Sequence, residues 1–382
     1  MVLAAVVLTV VLLVTGSGHS AAGRGRPHSG SSTTTVPATA SSGGSSSSSS
    51  PSAPVTTSTP AATLPTTGSV TISAVGDTML GNTPALPPDP ASYFDPIRHE
   101  LVGGAQIVFG NLEGTLTTAD TSKCGSGSPE CFAFRDPPGY ARYLRDAGFT
   151  ILNDANNHSF DFGPAGQAQT VASIHAAGMA QTGLPGEITL VHAGPIPVAF
   201  LAFAPYTYDA SLLNLPVAHR MIETARRKAR VVVVYMHAGA EGADADHVTG
   251  QEEYFLGEDR GNAEAFAHMA IDSGATLVIA SGPHVLRGMQ FYKGHLIAYS
   301  LGNFANYGDF AAGGVLSMSV ILHVTLSATG AFESARIYPV EIVGQGQPRP
   351  GGGTVSFIAG LSAQDFKASA ARFSPAGVIT PP

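Results

Sequence analysis

Short, almost wholly apolar runs alternate with helical patterns over most of the chain. The runs "VTISAVGD", "AQIVFGNLEG", "TILNDANNH", "IPVAFLAF", "ARVVVVYMHAG" and "ATLVIASGPH" are typical of buried strands. Between them, "PPGYARYLRDAG", "GPAGQAQTVASIHAAG" and "EAFAHMAIDSG" have the pattern of helices, and the second of these is closed by Gly178. This alternation predicts an α/β domain with mainly parallel strand pairing.

Three more apolar runs follow towards the C terminus. "HLIAYSLGNF", "GVLSMSVILHVTL" and "AFESARIYPVEIV" predict successive strands, which could form a second sheet. The folded domain is therefore placed at residues 70–343. Residues 344–382 are rich in Gly and Pro and then weakly helical over 362–372, so they are predicted to be a C-terminal tail.

The N-terminal part has a different composition. Residues 1–22 begin with an apolar run of about 14 residues, shorter than the roughly 20 of a spanning helix. The small residues after it favour a signal peptide cleaved after Ala22. No basic segment precedes the run, so an N-terminal membrane anchor remains the alternative. Residues 23–69 are rich in Ser, Thr and Pro and predict a disordered linker. We expect an extracytoplasmic protein, secreted or anchored to the cytoplasmic membrane.

The charge of the chain bears on its possible partners, and its cysteines bear on disulfide and metal binding. The net charge is -8 and the pI is about 5.9, which argues against nucleic acid as a partner because no basic stripe could neutralise phosphates. The two cysteines lie close together, Cys124 and Cys131 in "KCGSGSPEC". In an exported chain this arrangement predicts a local disulfide, since a thiolate metal site would need more cysteines.

Polar side chains of the kind that bind metals stand where five apolar runs end. Each has an ordinary explanation alone, such as a helix cap, a turn or a buried structural histidine. In open α/β sheets, however, ligands bind at the carboxyl ends of the strands. Together, these residues therefore predict one shared site: Asp77, Asn111 with Glu113, Asn157 with His158, His237 and His284.

Six motifs in order along residues 70–343 resemble the CapA, or poly-γ-glutamate capsule biosynthesis, family. They are "AVGDTMLGN", "FGNLEGTLT", "ANNHSFDFG", "HAGAEG", "GATLVIASGPHVLRG" and "YSLGNF", of which the third and the last are the most specific. That family is similar to calcineurin-type metallophosphoesterases. The resemblance implies a four-layer α/β/β/α sandwich.

The resemblance also implies a divalent metal site. Its ligands would be Asp77, Glu113, Asn157, His237 and His284, an oxygen and nitrogen set that suits one or two ions of Mn, Zn, Fe or Mg. The chain departs from the related patterns at two positions, because Met79 and Gly282 stand where histidines are common. A degenerate metal site therefore remains an alternative.

Further roles follow for residues near these ligands. His158 would be the catalytic proton donor, and Asp161 would either hold His158 or cap the next helix. Glu241 would orient His237 or lie on the surface. Asn111 and Asn303 would contact substrate, although a turn is an equal explanation for Asn303. Positive charge for an anionic substrate could come from Arg135, Arg142, Arg145 and Arg287.

These features predict an exported protein of capsule-polymer synthesis, export or processing, with a metal-dependent, hydrolase-like domain. Its partners would be an anionic capsule or cell-envelope polymer, such as poly-γ-glutamate, and membrane-bound polymer synthesis machinery. Two alternatives remain open. One is a non-catalytic polymer-binding or assembly component with a degenerate metal site, and the other is an envelope metallophosphoesterase.

Overall fold

The computed structural model of the chain describes residues 64–125, 131–308 and 313–382. The predicted signal peptide or anchor, and all of the predicted linker before residue 64, lie outside these ranges. No helix within the described ranges has both the length and the apolar character needed to span a bilayer. Cys124 and Cys131, the two cysteines predicted to pair, are joined by a disulfide with their Cα atoms 5.6 Å apart.

The strands of the described ranges are numbered along the chain. They are β1 Ser69–Met79, β2 Ile107–Leu112, β3 Thr115–Leu116, β4 Arg135–Asp136, β5 Ile151–Asn153, β6 Ala180–Thr182, β7 Thr189–Ala193, β8 Ile196–Phe203, β9 Val231–His237, β10 Glu253–Phe255, β11 Glu258–Gly261, β12 Leu277–Ser281, β13 Met289–Tyr292, β14 His295–Ala298, β15 Asn303–Asn306, β16 Met318–Ser327, β17 Phe332–Val343, β18 Gln347–Pro350, β19 Arg372–Phe373 and β20 Val378–Thr380.

The helices are fewer and lie between the strands. They are α1 Arg98–Val102, α2 Ala141–Ala147, α3 Gly163–Ala176, α4 Leu215–Lys228, α5 Ala263–Asp272 and α6 Thr354–Phe366. Asparagine side chains cap two of them, since Asn214 accepts from the Val217 amide of α4 and Asn262 from the Ala265 amide of α5.

Two large sheets form the centre of the fold. The first has the order β19-β20-β17-β16-β1-β2-β5-β6, with β15 also beside β1 and β18 beside β17. The second has the order β13-β14-β12-β9-β8-β7. Pairing is parallel from β1 through β2 and β5 to β6, and from β8 through β9 and β12 to β14. The carboxyl ends of these parallel strands carry the predicted site residues.

The two sheets pack face to face through alternating apolar side chains. Ile72 and Phe109 of the first sheet face Phe200 and Val233 of the second in one buried cluster. The Phe109 ring lies 5.7 Å from that of Phe200, nearly parallel to it. Each such buried side chain contributes about 1.5–3 kcal/mol relative to an exposed position.

Helices cover both outer faces. On the first sheet, Val108 and Leu152 pack with helix residues such as Leu144 and Ile174. On the second sheet, the alternate residues of β8 and β9 pack against α4 and α5. The order of layers is helix, sheet, sheet, helix, which confirms the predicted α/β/β/α sandwich.

The C-terminal predictions were wrong in two respects. β16 and β17 do not form a sheet of their own, because β16 pairs antiparallel with β1 at the centre of the first sheet. Residues 344–382 are not a separate tail, because β18 and β20 pair with β17 and α6 buries Ile358 and Leu361. The helix also lies earlier than residues 362–372. Small and polar residues diluted its apolar pattern, and the Gly/Pro segment forms a turn and an edge strand rather than a linker.

Candidate functional site

Strand register brings the predicted residues together. Asp77 of β1 lies between Asn111 of β2 and Asn303 of β15, each as its direct partner in parallel pairing. In the second sheet, His237 at the end of β9 pairs in the same way with Ser281 of β12. The backbone crosses very closely here, because a Cβ on Gly76 would lie 1.9 Å from the carbonyl oxygen of Gly302. Only glycine fits this position, and the Asp77 amide then donates to the same carbonyl at 2.9 Å.

Asp77, Glu113 and His237 form a compact buried cluster. Each offers one ligand atom, and the three atoms lie within 4.8 Å of one another. Asp77 and Glu113 are fully buried, and His237 is 1% exposed. Asn111 holds the two carboxylates side by side, because its Nδ2 donates to Asp77 Oδ1 at 2.8 Å and also to Glu113 Oε2.

Three atoms in this cluster and beside it are buried without a hydrogen-bond partner among the described residues: Glu113 Oε1, His237 Nε2 and Asn157 Oδ1. The first two are 3.6 Å apart. Burying a polar atom without a partner costs free energy, and a ligand bound by these atoms would remove that cost. A carboxylate oxygen, an imidazole nitrogen and an amide oxygen are suitable ligands for a divalent cation, so the residues present fit a metal ion.

The electrostatics of the cluster agree with this fit. Burial raises the pKa of Glu113 well above its usual range, and the Asp77 carboxylate beside it raises it further. Burial also lowers the pKa of His237 to about 3, so its imidazole is neutral at physiological pH. A bound cation would relieve the repulsion between the carboxylates and would use the lone pair of the neutral ring.

His284 lies one step behind this cluster rather than within it. Its Nδ1 is 3.0 Å from Asp77 Oδ2 and 3.0 Å from Asn303 Oδ1. Burial opposes its charge, but the hydrogen bond to Asp77 and the charges of Asp77, Glu241 and Glu113 together outweigh burial and raise the pKa of His284 to about 9. Burial likewise opposes the charge of Asp77, and the paired His284 lowers the pKa of Asp77 on balance. In this arrangement His284 contacts the predicted ligand Asp77, and its own role as a metal ligand stays a prediction.

Gly282 explains why the site lacks one histidine of the related pattern. Its φ angle is +121°, a conformation that favours glycine. A Cβ at this position would lie 3.0 Å from the Ala238 amide nitrogen and 3.4 Å from His237 Cδ2. A histidine here would therefore need a different local backbone.

A chain of hydroxyl groups links His237 to Asp77. The Tyr235 hydroxyl lies 3.2 Å from His237 Nδ1 and also bonds Ser281 Oγ, which in turn donates to Asp77 Oδ1. Asp77 is ionised and can only accept, so Ser281 donates to it, Tyr235 donates to Ser281, and His237 Nδ1–H donates to Tyr235. This direction leaves the lone pair of His237 on Nε2, next to Glu113.

Replacing Tyr235 by phenylalanine is expected to weaken Mn²⁺ or Zn²⁺ binding by about 10-fold to 100-fold, because His237 loses the group that fixes its tautomer. Titration calorimetry measures the affinity. Tyr299→Phe is the matched control, because it removes a buried hydroxyl that bonds Gln290 away from the site. Equal metal affinity in the Tyr235 and Tyr299 variants would show that the hydroxyl chain does not orient His237.

His158 and Asp161 form a second unit beside the cluster. His158 Nδ1 is 2.8 Å from Asp161 Oδ2, and Lys123 Nζ is 2.7 Å from Asp161 Oδ1. Of the two roles considered for Asp161, the structure shows the first. Helix α3 begins at Gly163 after Phe162 with no side-chain cap. Burial lowers the pKa of His158, and Asp161 partly offsets this effect.

Glu241 has other partners than the one predicted. Its Oε1 is 2.9 Å from Arg260 Nη1 and 3.5 Å from Asn157 Nδ2, and its Oε2 is 3.7 Å from His284 Nε2. Tyr235, rather than Glu241, orients His237. Glu241, Asn157 and His158 all line one cavity of about 450 Å³.

The predicted substrate contacts are also placed differently. Asn111 and Asn303 are fully buried, and their side chains contact Asp77, Glu113 and His284, so their predicted contact with substrate stays a prediction. Two neighbouring amides support Asn111, since Asn153 and Asn156 donate to its Oδ1 at 2.6 Å and 3.0 Å. These two amides belong to the run "NDANN" at residues 153–157, of which only Asn157 was proposed as a site residue from the sequence.

The cations of the cavity were not identified from the sequence. Its cations are Lys123 and Arg260, whereas the four arginines proposed from the sequence do not line it. Arg287 is fully buried and paired with Glu253. Arg135 lies over the Phe162 ring, and Arg142 over the Tyr143 ring. Lys123 lies in an irregular segment and Arg260 in the short polar strand β11, and neither sequence stretch has a pattern that distinguishes a cation facing a cavity.

The chain is similar to proteins of bacterial capsule synthesis. Residues 71–307 match the family model described as bacterial capsule synthesis protein PGA_cap. The PGA biosynthesis protein CapA of Bacillus subtilis (strain 168) is 27% identical over 270 residues, which cover 65% of this chain and 64% of that protein. The capsule biosynthesis protein CapA of Bacillus anthracis is 32% identical over 182 residues, which cover 42% of this chain and 41% of that protein. The chain thus spans less than two thirds of the length of either relative.

Among solved structures, a 5'-nucleotidase precursor from Thermus thermophilus is similar with a TM-score of 0.38 and 15% identity. The match covers 71% of this chain and 54% of that one.

Proposed function

The chain belongs to the bacterial capsule synthesis protein family, and we propose that it is an exported protein whose folded domain acts as a metal-dependent hydrolase on a capsule polymer. The substrate class is an anionic capsule or cell-envelope polymer, with poly-γ-glutamate as the first polymer to test. The process would be synthesis, export or processing of that polymer, together with membrane-bound synthesis machinery.

One observation carries this proposal. Glu113 Oε1 and His237 Nε2 are buried, lack hydrogen-bond partners among the described residues and lie 3.6 Å apart beside Asp77. A structural role would pair these atoms with each other or with neighbouring groups. Their arrangement instead supports a divalent cation held by Asp77, Glu113 and His237, with Asn157 as a further oxygen ligand.

The chain's own residues supply the rest of the chemistry. When bound, the cation provides Lewis-acid chemistry that polarises the bond under attack. Asp161 holds His158 through Nδ1, so Nε2 is the atom at which His158 accepts or releases a proton. Lys123 fixes the Asp161 carboxylate, and the His158 ring is only 5% exposed, which keeps the proton away from bulk water.

Removing this imidazole is expected to lower kcat by roughly 10²–10⁴-fold without loss of metal. The test uses His158→Gln in the full chain loaded with Mn²⁺ or Zn²⁺. Chain shortening of poly-γ-glutamate and cleavage of a generic phosphodiester are the two readouts. His247→Gln is the matched control, because His247 is 46% exposed and pairs with Asp365 instead. Equal activity of the two variants would exclude His158 as the proton-transfer residue.

A second function has one specific observation in its favour. Gly282 contributes no side chain at a position where related patterns have a histidine ligand, so the domain could be a non-catalytic component of polymer assembly with a degenerate metal site. Inertness towards both substrates with metal bound would support this alternative and reject the hydrolase.

Extracytoplasmic location is part of the proposal. Both cysteines of the chain are consumed in the Cys124–Cys131 disulfide, and such bonds persist mainly in oxidising compartments. Fractionation of cells expressing the full chain tests this point. Recovery in the cytoplasm with reduced cysteines would contradict it.

A further inference from the structure

The proposed chemistry assigns no ligand to the cavity next to His158. Its volume is about 450 Å³, within the range of small-ligand pockets. Asn157, His158 and Glu241 form the side that adjoins the metal cluster. A substrate group held in this cavity would therefore lie beside the bond that the site attacks.

One wall of the cavity is a preorganised stack of rings. The Tyr208 ring is 4.7 Å from the Phe160 ring on one side and 5.1 Å from the Tyr206 ring on the other, and all are nearly parallel. The stack continues to the Arg260 guanidinium, which lies 6.0 Å from the Tyr206 ring centre and 5.5 Å from that of Phe255. A wall fixed in this way loses little conformational entropy when a ligand binds.

Two large apolar side chains stand exposed around the same cavity. Phe132 is 59% exposed and Leu256 is 64% exposed. Phe132 directly follows Cys131, so the disulfide limits its movement. Exposed apolar surface that adjoins a cavity is typical of ligand-binding sites.

The charges that line the cavity cancel one another. Lys123 pairs with Asp161 at 2.7 Å, and Arg260 pairs with Glu241 at 2.9 Å and Glu258 at 3.2 Å. A free carboxylate of an anionic chain would meet these cations only by competing with built-in carboxylates. Glu241 and Glu258 would also repel it.

The same carboxylates suit a ligand with hydroxyl groups. An ionised carboxylate offers about four lone-pair positions. Glu241 uses part of them for Arg260 and Asn157, and Glu258 uses part for Arg260 and the Tyr206 hydroxyl. Hydroxyl donors could take the rest, and the apolar faces of a sugar ring could pack on Phe132 and Leu256. Apolar walls with a few convergent acceptors are the usual composition of a pocket for such a ligand.

We propose that this cavity binds a neutral sugar unit of the polymer, next to the bond that the metal site cleaves. This inference rests on the proposed function and narrows its substrate class to a polymer that contains sugar, in preference to pure poly-γ-glutamate.

The test is a binding experiment in chelator, so that its result does not depend on the metal site. The full chain is titrated with neutral oligosaccharides of hexose and of N-acetylhexosamine, with oligo-γ-glutamate and with a mononucleotide. We expect a neutral oligosaccharide to bind, and Phe132→Ala and Leu256→Ala each to weaken it by about tenfold. Both side chains are largely exposed, so these variants should fold as the parent does.

Tyr254→Ala is the matched control, because Tyr254 is 61% exposed but does not line the cavity. Its affinity should equal that of the parent. The inference is overturned if no neutral oligosaccharide binds, if only oligo-γ-glutamate or the nucleotide binds, or if the control loses as much affinity as the cavity variants. Because metal is absent throughout, each of these failures leaves the hydrolase proposal to its own test.

Discussion

A protein in which Asp77 and His237 are both replaced by alanine should bind Mn²⁺ or Zn²⁺ at least about a hundredfold more weakly than the parent chain. These residues provide two of the three ligand atoms that lie within 4.8 Å of one another. Loss of affinity by a factor of one hundred corresponds to about 2.7 kcal/mol. Glu113 alone would retain a single carboxylate in the cluster, too few donors for a stable site.

The measurement is metal content after loading and dialysis, followed by calorimetric titration of the metal-free protein. The matched control replaces His247 and Asp365, a histidine and an aspartate that pair at 2.7 Å elsewhere. It removes the same residue types and should retain metal. If parent and variant carry equally little metal after loading with Mn²⁺, Zn²⁺ or Fe²⁺, the metal-dependent hydrolase is rejected.

The location of the site was predictable because it depends on strand ends. Parallel strands place their carboxyl ends at one edge of a sheet, so apolar runs ending in Asp77, Glu113 and His237 indicated a shared position. The sandwich of two sheets brings these ends together in the structure. The motif resemblance supplied the order of the four layers, which the apolar pattern alone did not contain.

The residues behind the ligands were not predictable in the same way. Tyr235 lies inside β9, in "VVVVYMH", and the sequence pattern predicts only an ordinary core residue of a buried strand. Its role comes from a hydroxyl that meets Ser281 on the neighbouring strand, and sequence spacing does not show such contacts between strands. The contacts of Asn111 with Asp77 and of Asn303 with His284 were not predicted for the same reason, since they form between strands that are distant in the sequence.

The order of the strands within the sheets could not be predicted from the sequence either. The runs that became β16 and β17 were recognised as strands, but their pairing partner β1 is more than 200 residues away along the chain. The residues after 343 have few apolar positions, and those few become buried only because β17 provides an edge for β18 and β20. Local pattern identifies strands, whereas long-range pairing decides which sheet they join.

Replacing Arg287 by alanine should lower the free energy of unfolding by about 3–5 kcal/mol. Arg287 is fully buried, and its guanidinium makes a two-pronged ion pair with Glu253 at 2.9 Å and 2.7 Å. Its Nε also donates to the Ala245 carbonyl at 2.7 Å. The alanine variant would leave the Glu253 carboxylate, which is only 12% exposed, without its cation. Urea unfolding followed by circular dichroism measures the change.

The double variant Arg287→Ala/Glu253→Ala separates the ion pair from simple loss of volume. It should be more stable than Arg287→Ala alone, because no unpaired charge is then buried. A loss below about 1 kcal/mol in the single variant, or no recovery in the double, would show that the pair is not what holds this region. The pair also fixes both ends of the segment from Ala240 to Ala245. Glu253 accepts a hydrogen bond from the Ala240 amide at 2.9 Å, and Arg287 donates one to the Ala245 carbonyl. Glu241 lies in that segment, so the stability of this buried pair and the shape of the cavity beside His158 should change together.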